Sequence, residues 1–222
     1  MLVLSHRGYH VAVPENTYDA FESALRLGVD GIETDLQLSA DGHLILFHDR
    51  LTPDGRATAS LSRSDLGAVV GYPIPTLEEV LQQYKDVLWN IEIKTPAVLE
   101  QAVALLRPWC YTRRLLITSF WHPVIEHISQ RLDVDCGIVV AHRPFARALP
   151  PFGWWPDTGR VQTVVWAYPI IDADIVAQTA RQGIRNFVYG AETASDRVHC
   201  AALQVDGVIT DHPDIWLPAR TG

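Results

Sequence analysis

The sequence predicts an α/β fold, a (β/α)8 TIM barrel in a single domain over residues 1–222, with a short insertion at 39–75 after the second barrel strand. Three observations predict it. Short runs rich in Val, Ile and Leu alternate with stretches of helical period along the chain. Nine such runs occur, and one follows its predecessor across a turn too short for a parallel crossover, which leaves eight barrel strands. A chain of 222 residues is long enough for eight compact strand–helix units. A doubly wound sheet is the main rival.

The elements follow in order. "LVLSH" (2–6) is the first strand. "PENTYDAFESALRLG" reads as a helix: Asn16 or Thr17 caps its start, Ala20, Phe21, Ala24 and Leu25 form one apolar face, and Gly28 ends it. "GIETDLQL" (31–38) is the second barrel strand, and "LILFH" (44–48) returns across "SADG" as an antiparallel hairpin. "PTLEEVLQQY" opens with Thr76 and Glu79 spaced as a capping box. "LWNIEIK" (88–94) is the third barrel strand, and Thr95 before Pro96 predicts the start of the next helix. "LLITSF" (115–120), "CGIVV" (136–140) and "TVVWAY" (163–168) are strands, and "DADIVAQTARQG" is a helix from an Asp to Gly183. "NFVY" (186–189) and "GVIT" (207–210) complete the set. No internal repeat, low-complexity tract or linker divides the chain.

Composition narrows the function. At 48% hydrophobic and 20% charged, the chain has the make-up of a soluble globular protein. No run is apolar and long enough to span a bilayer, so no stable membrane insertion is expected. The start, "MLVLSHRG", lacks the pattern of a secretory signal. Cys110, Cys136 and Cys200 are scattered and odd in number, which suits reduced thiols and a cytoplasmic location. The net charge of −8 argues against non-specific nucleic-acid binding, and an anionic substrate would need a local source of positive charge.

That source and its counter-charges fall near strand ends. Glu33 and Asp35, with Gln37, share one face of the second strand, and Asn90, Glu92 and Lys94 share one face of the third. An exposed antiparallel face would alternate in the same way. Helices on either side in sequence favour a covered parallel strand, whose polar residues then face the barrel interior. Three carboxylates meeting there would resist ionisation together, and a hard divalent cation, Mg²⁺ or Ca²⁺, removes the conflict. The trio contains no His or Cys, which argues against a structural zinc site. Of nine histidines, His6 and His48 stand out, because each ends a strand beside a charged residue. His10, His43, His122, His127, His142, His199 and His212 are expected to be structural. Arg7 and Lys94 suit phosphate oxygens, one as a planar fork and the other as a point charge.

"SHRG", "PENT", "GIETDLQLSADGHLILFHD", "IPTLEEVL", "IEIKT" and "VDGVITDHPD" together resemble the glycerophosphodiester phosphodiesterase family. The resemblance runs in order through roughly the first hundred residues and returns in the last twenty. It implies a (β/α)8 barrel, a divalent cation, and hydrolysis of a small-molecule glycerophosphodiester to an alcohol and glycerol 3-phosphate. His6 and His48 match the family's acid–base histidines, Glu33, Asp35 and Glu92 its metal ligands, and Arg7 and Lys94 its phosphate-holding residues. Glu15 and Asn16 of "PENT" match the edge of the site, Asn16 doubling as a candidate cap. The family's insertion corresponds to 39–75, which is short here and would leave the site more open.

Where the family has a Trp-Thr-Val-Asn run, this chain has "NFVYGAET", with Tyr189 near the Trp position, so the central chemistry is expected to survive while the resemblance does not carry over recognition of the glycerol or leaving group. "PPFGWWPD" (150–157) is a candidate aromatic lid for an alkyl or lipid substrate, with oligomer contact or plain packing as the alternatives. The resemblance further implies attack by a neighbouring substrate hydroxyl and a cyclic phosphate that water then opens. A lysophospholipase D-like enzyme, a non-catalytic phosphodiester-binding homologue and a sugar-phosphate isomerase are the rival readings, and homo-oligomers are compatible with all of them.

Overall fold

The computed structural model describes residues 1–143 and 159–217. Its strands are β1 (Leu2–His6), β2 (Gly31–Leu38), β3 (Leu44–Leu46), β4 (Leu88–Ile93), β5 (Arg114–Ser119), β6 (Asp135–Val140), β7 (Val161–Ala167), β8 (Arg185–Tyr189) and β9 (Gly207–Thr210). Its helices are α1 (Tyr18–Leu27), α2 (Arg63–Val70), α3 (Leu77–Gln83), α4 (Leu99–Leu106), α5 (His122–Arg131), α6 (Ala173–Ala180), α7 (Ala194–Leu203) and α8 (Pro213–Trp216). Parallel pairing runs β1-β9-β8-β7-β6-β5-β4-β2, and β1 pairs with β2 to close an eight-stranded barrel. β3 is the exception the short turn predicts: it lies antiparallel to the end of β2, with Leu36 opposite Leu46 and Leu38 opposite Leu44. It is shorter than the 44–48 run and ends at Leu46, although the Phe47 amide still donates to the Asp35 carbonyl at 3.0 Å.

Alternation along the strands sorts the side chains. Leu4, Leu116, Val139, Val165, Phe187 and Ile209 pack together inside the barrel. The opposite faces, with residues such as Ile32, Trp89, Ile117 and Trp166, pack against the helices in the larger core. Burying such a side chain contributes about 1.5–3 kcal/mol, so these two layers dominate stability. Gly207 leaves room for an inner ring, since a Cβ there would sit 2.8 Å from Cε2 of Phe187. A smaller cluster of Ile45, Phe47, Leu61, Leu66 and Ile74 holds the insertion to the barrel. Arg63 adds a two-pronged contact, donating to both Glu79 oxygens at 2.9 and 2.7 Å. Partial burial opposes the charge on Glu79, but Arg63 and the Thr76 amide outweigh it and hold the carboxyl down at about 2.

Helix starts follow their caps with one correction, at Thr95. Thr17, not Asn16, caps α1, accepting from the Ala20 amide, and Gly28 ends the helix at φ 87°. Thr76 and Glu79 form the capping box of α3, and Asp172 caps α6. Thr95 does not cap: a three-residue 3-10 turn, Pro96–Val98, precedes α4 and Thr95 makes no side-chain cap bond. α6 stops at Ala180, short of Gly183. The aromatic run at 150–157 lies outside the described residues. No helix among the described residues is long and apolar enough to cross a membrane.

Candidate active site

In a barrel of this topology the carboxyl ends of the strands form one face, and the polar residues singled out above collect there. Asp35 on β2 lies beside Glu92 on β4 in register, and Glu33 lies beside Asn90. One carboxylate oxygen from each of Glu33, Asp35 and Glu92 falls within 4.8 Å of the other two. The side chains of Glu33 and Asp35 are only 4% and 1% exposed, so water screens their repulsion poorly. Burial pushes the Glu33 carboxyl well above the usual carboxylate range, and Asp35 and Glu92 push it further. Burial also raises Glu92, against the pull of Lys94. Asp35 goes the other way: burial opposes its charge, but Lys94 and Arg7 outweigh that and hold it low.

The two cations are therefore engaged with carboxylates. Lys94 Nζ lies 3.1 Å from Asp35 Oδ1 and 3.0 Å from Glu92 Oε1. Arg7 donates from one Nη to both oxygens of Glu15, at 3.0 and 2.9 Å. Its Nε sits 3.0 Å from Asp35 Oδ2 but makes no directed hydrogen bond, so that contact is an ion pair alone. Asn16 is drawn inward, where its Nδ2 donates to Asp35 at 3.0 Å and its Oδ1 accepts from Thr34 at 2.6 Å. Arg7 and Asn16 both stand in the left-handed region, at φ 55°, and the Asn16 amide donates to the Arg7 carbonyl. That turn places both side chains over Asp35 at a local cost of roughly 1–3 kcal/mol each.

Both singled-out imidazoles are backed by a carboxylate. His6 Nδ1 is 2.7 Å from Asp211 Oδ1, and His48 Nδ1 is 2.8 Å from Asp49 Oδ1. The pairing leaves Nε2 of each ring without a hydrogen bond among the described residues, and His6 Nε2 faces Glu33 at 3.8 Å. His48 rides on a loop that Gln37 fixes, its Nε2 donating to the carbonyls of Phe47, His48 and Asp49 at 2.8–3.0 Å. Gln37 thus shares the face of the acids but serves the histidine loop.

One cavity of about 180 Å³ joins these groups. His6, Arg7, Glu33, His48, Glu92 and Lys94 line one side, and Phe120, Val139, Val165, Tyr189 and Ile209 line the other. The rings of Phe120 and Tyr189 meet edge to face, 6.2 Å apart. Asp35 lies beneath the cavity as an anchor for both cations, and Glu15 stands outside it, holding Arg7. A wider depression of about 640 Å³ against α2 gathers no comparable set of side chains.

Three residues of the site escaped the sequence reading. Asp211 follows β9 and pairs with His6 across 205 positions. Glu192 accepts from Thr210 Oγ1 and from the Asp211 amide, at 2.6 and 2.9 Å, and so seats Asp211. His10, expected to be merely structural, places Nε2 3.2 Å from the same Asp211 oxygen, outside the cavity lining. The available signal was the acid in "ITDHPD", which ends the last strand just as His6 ends the first.

The model of the glycerophosphoryl diester phosphodiesterase family matches residues 6–215. A glycerophosphodiester phosphodiesterase of Caldanaerobacter subterraneus subsp. tengcongensis is 32% identical over 245 residues, spanning 96% of this chain and 95% of its own. A crystal structure of glycerophosphodiester phosphodiesterase from Thermotoga maritima superimposes with a TM-score of 0.81 at 24% identity, over 97% of this chain and 96% of that one. An Oleispira antarctica phosphodiesterase, solved in complex with the product sn-glycerol-3-phosphate, gives a TM-score of 0.79 at 23% identity, over 97% and 95%. At these identities the two structures speak to the shared barrel.

Proposed function

The chain belongs to the glycerophosphoryl diester phosphodiesterase family, and from that premise we propose that it hydrolyses glycerophosphodiesters to an alcohol and glycerol 3-phosphate. The carrying observation is the cavity that sets His6 and His48, each backed by an acid, beside a cluster of three carboxylates, two of them buried. The relative with a bound glycerol phosphate supports a product of that kind.

The carboxylates suit a divalent cation on two counts. Their donor set is all oxygen, as Mg²⁺ and Ca²⁺ prefer. Asn90 Oδ1, on the residue in register with Glu33, is buried without a hydrogen-bond partner among the described residues, so a polar oxygen next to the trio is left unsatisfied. Glu33, Asp35 and Glu92 would hold the ion, which when bound supplies Lewis-acid polarisation of a phosphoryl oxygen.

The protein's own groups do the rest. Asp211 and Asp49 fix the Nδ1 side of each imidazole, so Nε2 is the atom presented to substrate. One ring takes the proton of the attacking hydroxyl while the other protonates the leaving alkoxide, and the roles reverse when water opens the cyclic phosphate. Arg7 and Lys94 reach the cavity from the charged side, where they offset the phosphate's charge. The apolar side, from Phe120 to Ile209, offers packing to carbon and excludes water.

Product analysis tests this reading. Purified protein with Mg²⁺ or Ca²⁺ is offered glycerophosphocholine and, separately, a lysophospholipid. Glycerol 3-phosphate and choline from the first are the expected products. Turnover of the lysolipid alone would move the chain to the lysophospholipase D-like reading, and binding without turnover of either would make it a phosphodiester-binding homologue.

A further inference from the structure

Asp211 Oδ1 receives two imidazoles, although orienting His6 needs only one. His6 Nδ1 lies 2.7 Å from that oxygen and His10 Nε2 lies 3.2 Å from it. The three ligand atoms fall within 4.8 Å of one another. Closure of β1 against β9 brings them together, since His6 and His10 flank the start of the barrel and Asp211 its end. The carboxylate is seated from behind by Glu192, which accepts from the Asp211 amide at 2.9 Å. The side chains are 27%, 25% and 39% exposed, so solvent reaches the cluster from one side.

We propose that His6, His10 and Asp211 form a second metal site, taking a borderline transition-metal ion of the zinc class. Two imidazoles and one carboxylate with an open position is a donor set such ions favour, whereas Mg²⁺ and Ca²⁺ favour the all-oxygen trio on β2 and β4. Metal–ligand bonds of about 2.0–2.2 Å separate tetrahedral ligand atoms by roughly 3.3 Å. The spacings of 2.7 and 3.2 Å reach that with small side-chain rotations. The ion replaces the hydrogen bonds to Asp211 and ties His6 and Asp211 to itself. Occupancy therefore removes His6 from turnover and makes the site inhibitory, a consequence that rests on the phosphodiesterase reading, whereas binding itself does not.

Co²⁺ is the probe, because its visible absorption reports nitrogen and oxygen coordination directly. The whole protein, with Mg²⁺ saturating the acidic trio, is titrated with Co²⁺, and Zn²⁺ then competes. The expected result is a visible band that saturates at one Co²⁺ per chain and that Zn²⁺ removes. His10→Ala is expected to weaken Co²⁺ binding by about tenfold or more. Zn²⁺ is expected to inhibit the wild type, with half-inhibition moved upward in His10→Ala by the same factor. A Co²⁺ band that His10→Ala leaves intact and Glu92→Gln removes would place the ion in the acidic trio and overturn the proposal, as would the absence of any band. A His10-dependent band in protein that turns over no glycerophosphodiester would uphold the site and reject the activity, so the two failures are distinct.

Discussion

His48→Ala is expected to lower the turnover of glycerophosphocholine by about 10²–10⁴-fold, the usual contribution of a positioned acid or base. The fold should survive. His48 stands at the cavity mouth with a side chain 32% exposed, outside the apolar clusters of the core, so truncation opens no buried void. Its loop keeps the three carbonyl contacts to Gln37, which do not involve the imidazole. The carboxylates on β2 and β4 are untouched, so cation binding should persist. The expected signature is a fall in kcat with little change in KM and an unchanged urea midpoint. Turnover near the wild-type rate would remove His48 from the chemistry and leave His6 to act alone.

Asp35→Ala is expected to be the costliest single truncation at the site, by about 3–5 kcal/mol of stability, the range for breaking one partner out of a buried ion pair. Asp35 is 1% exposed and takes Lys94, Arg7 and the Asn16 amide. Without it two largely buried cations lose a counter-charge, though Lys94 keeps Glu92 and Arg7 keeps Glu15. The left-handed turns at Arg7 and Asn16 also lose the contact that sustains them. The pH dependence has a definite sign. Because Lys94 and Arg7 hold the Asp35 carboxyl below its unfolded value, its stabilisation is complete at neutral pH. That stabilisation is lost as pH falls through the folded-state range, so Asp35→Asn should flatten the acid side of the stability profile. Urea unfolding measures both effects, and an unchanged midpoint would mean that the two cations find other partners.

Much of this arrangement was legible in the chain because strand alternation is local. Val, Ile and Leu on one face and Glu33, Asp35 and Glu92 on the other follow from period two, and the flanking helices turn the polar face inward. The brevity of "SADG" was enough to set β3 antiparallel. What stayed hidden depends on distance through space. Asn16 and Thr17 are adjacent residues of the same capping type, and it is the contacts to Thr34 and Asp35 that hold Asn16 inward while Thr17 caps. Thr95 carries a good cap signal, but the chain after β4 makes a 3-10 turn before α4 begins. Arg7 and Lys94 were readable as cations near the site, but not as partners of carboxylates already there. Asp211 and His10 lie at opposite ends of the chain, and only closure of β1 against β9 makes them neighbours.

The measurement that bears most directly on the central claim is the cation dependence of turnover by the wild-type protein. Protein stripped with a chelator is assayed for glycerol 3-phosphate release, then again after Mg²⁺ or Ca²⁺ is returned. Release is expected to stop on stripping and to recover with the ion. Recovery should need more ion at lower pH, because Glu33, raised by its burial and its acidic neighbours, must give up a proton to bind. Release that continues undiminished in stripped protein would contradict a cation held by Glu33, Asp35 and Glu92.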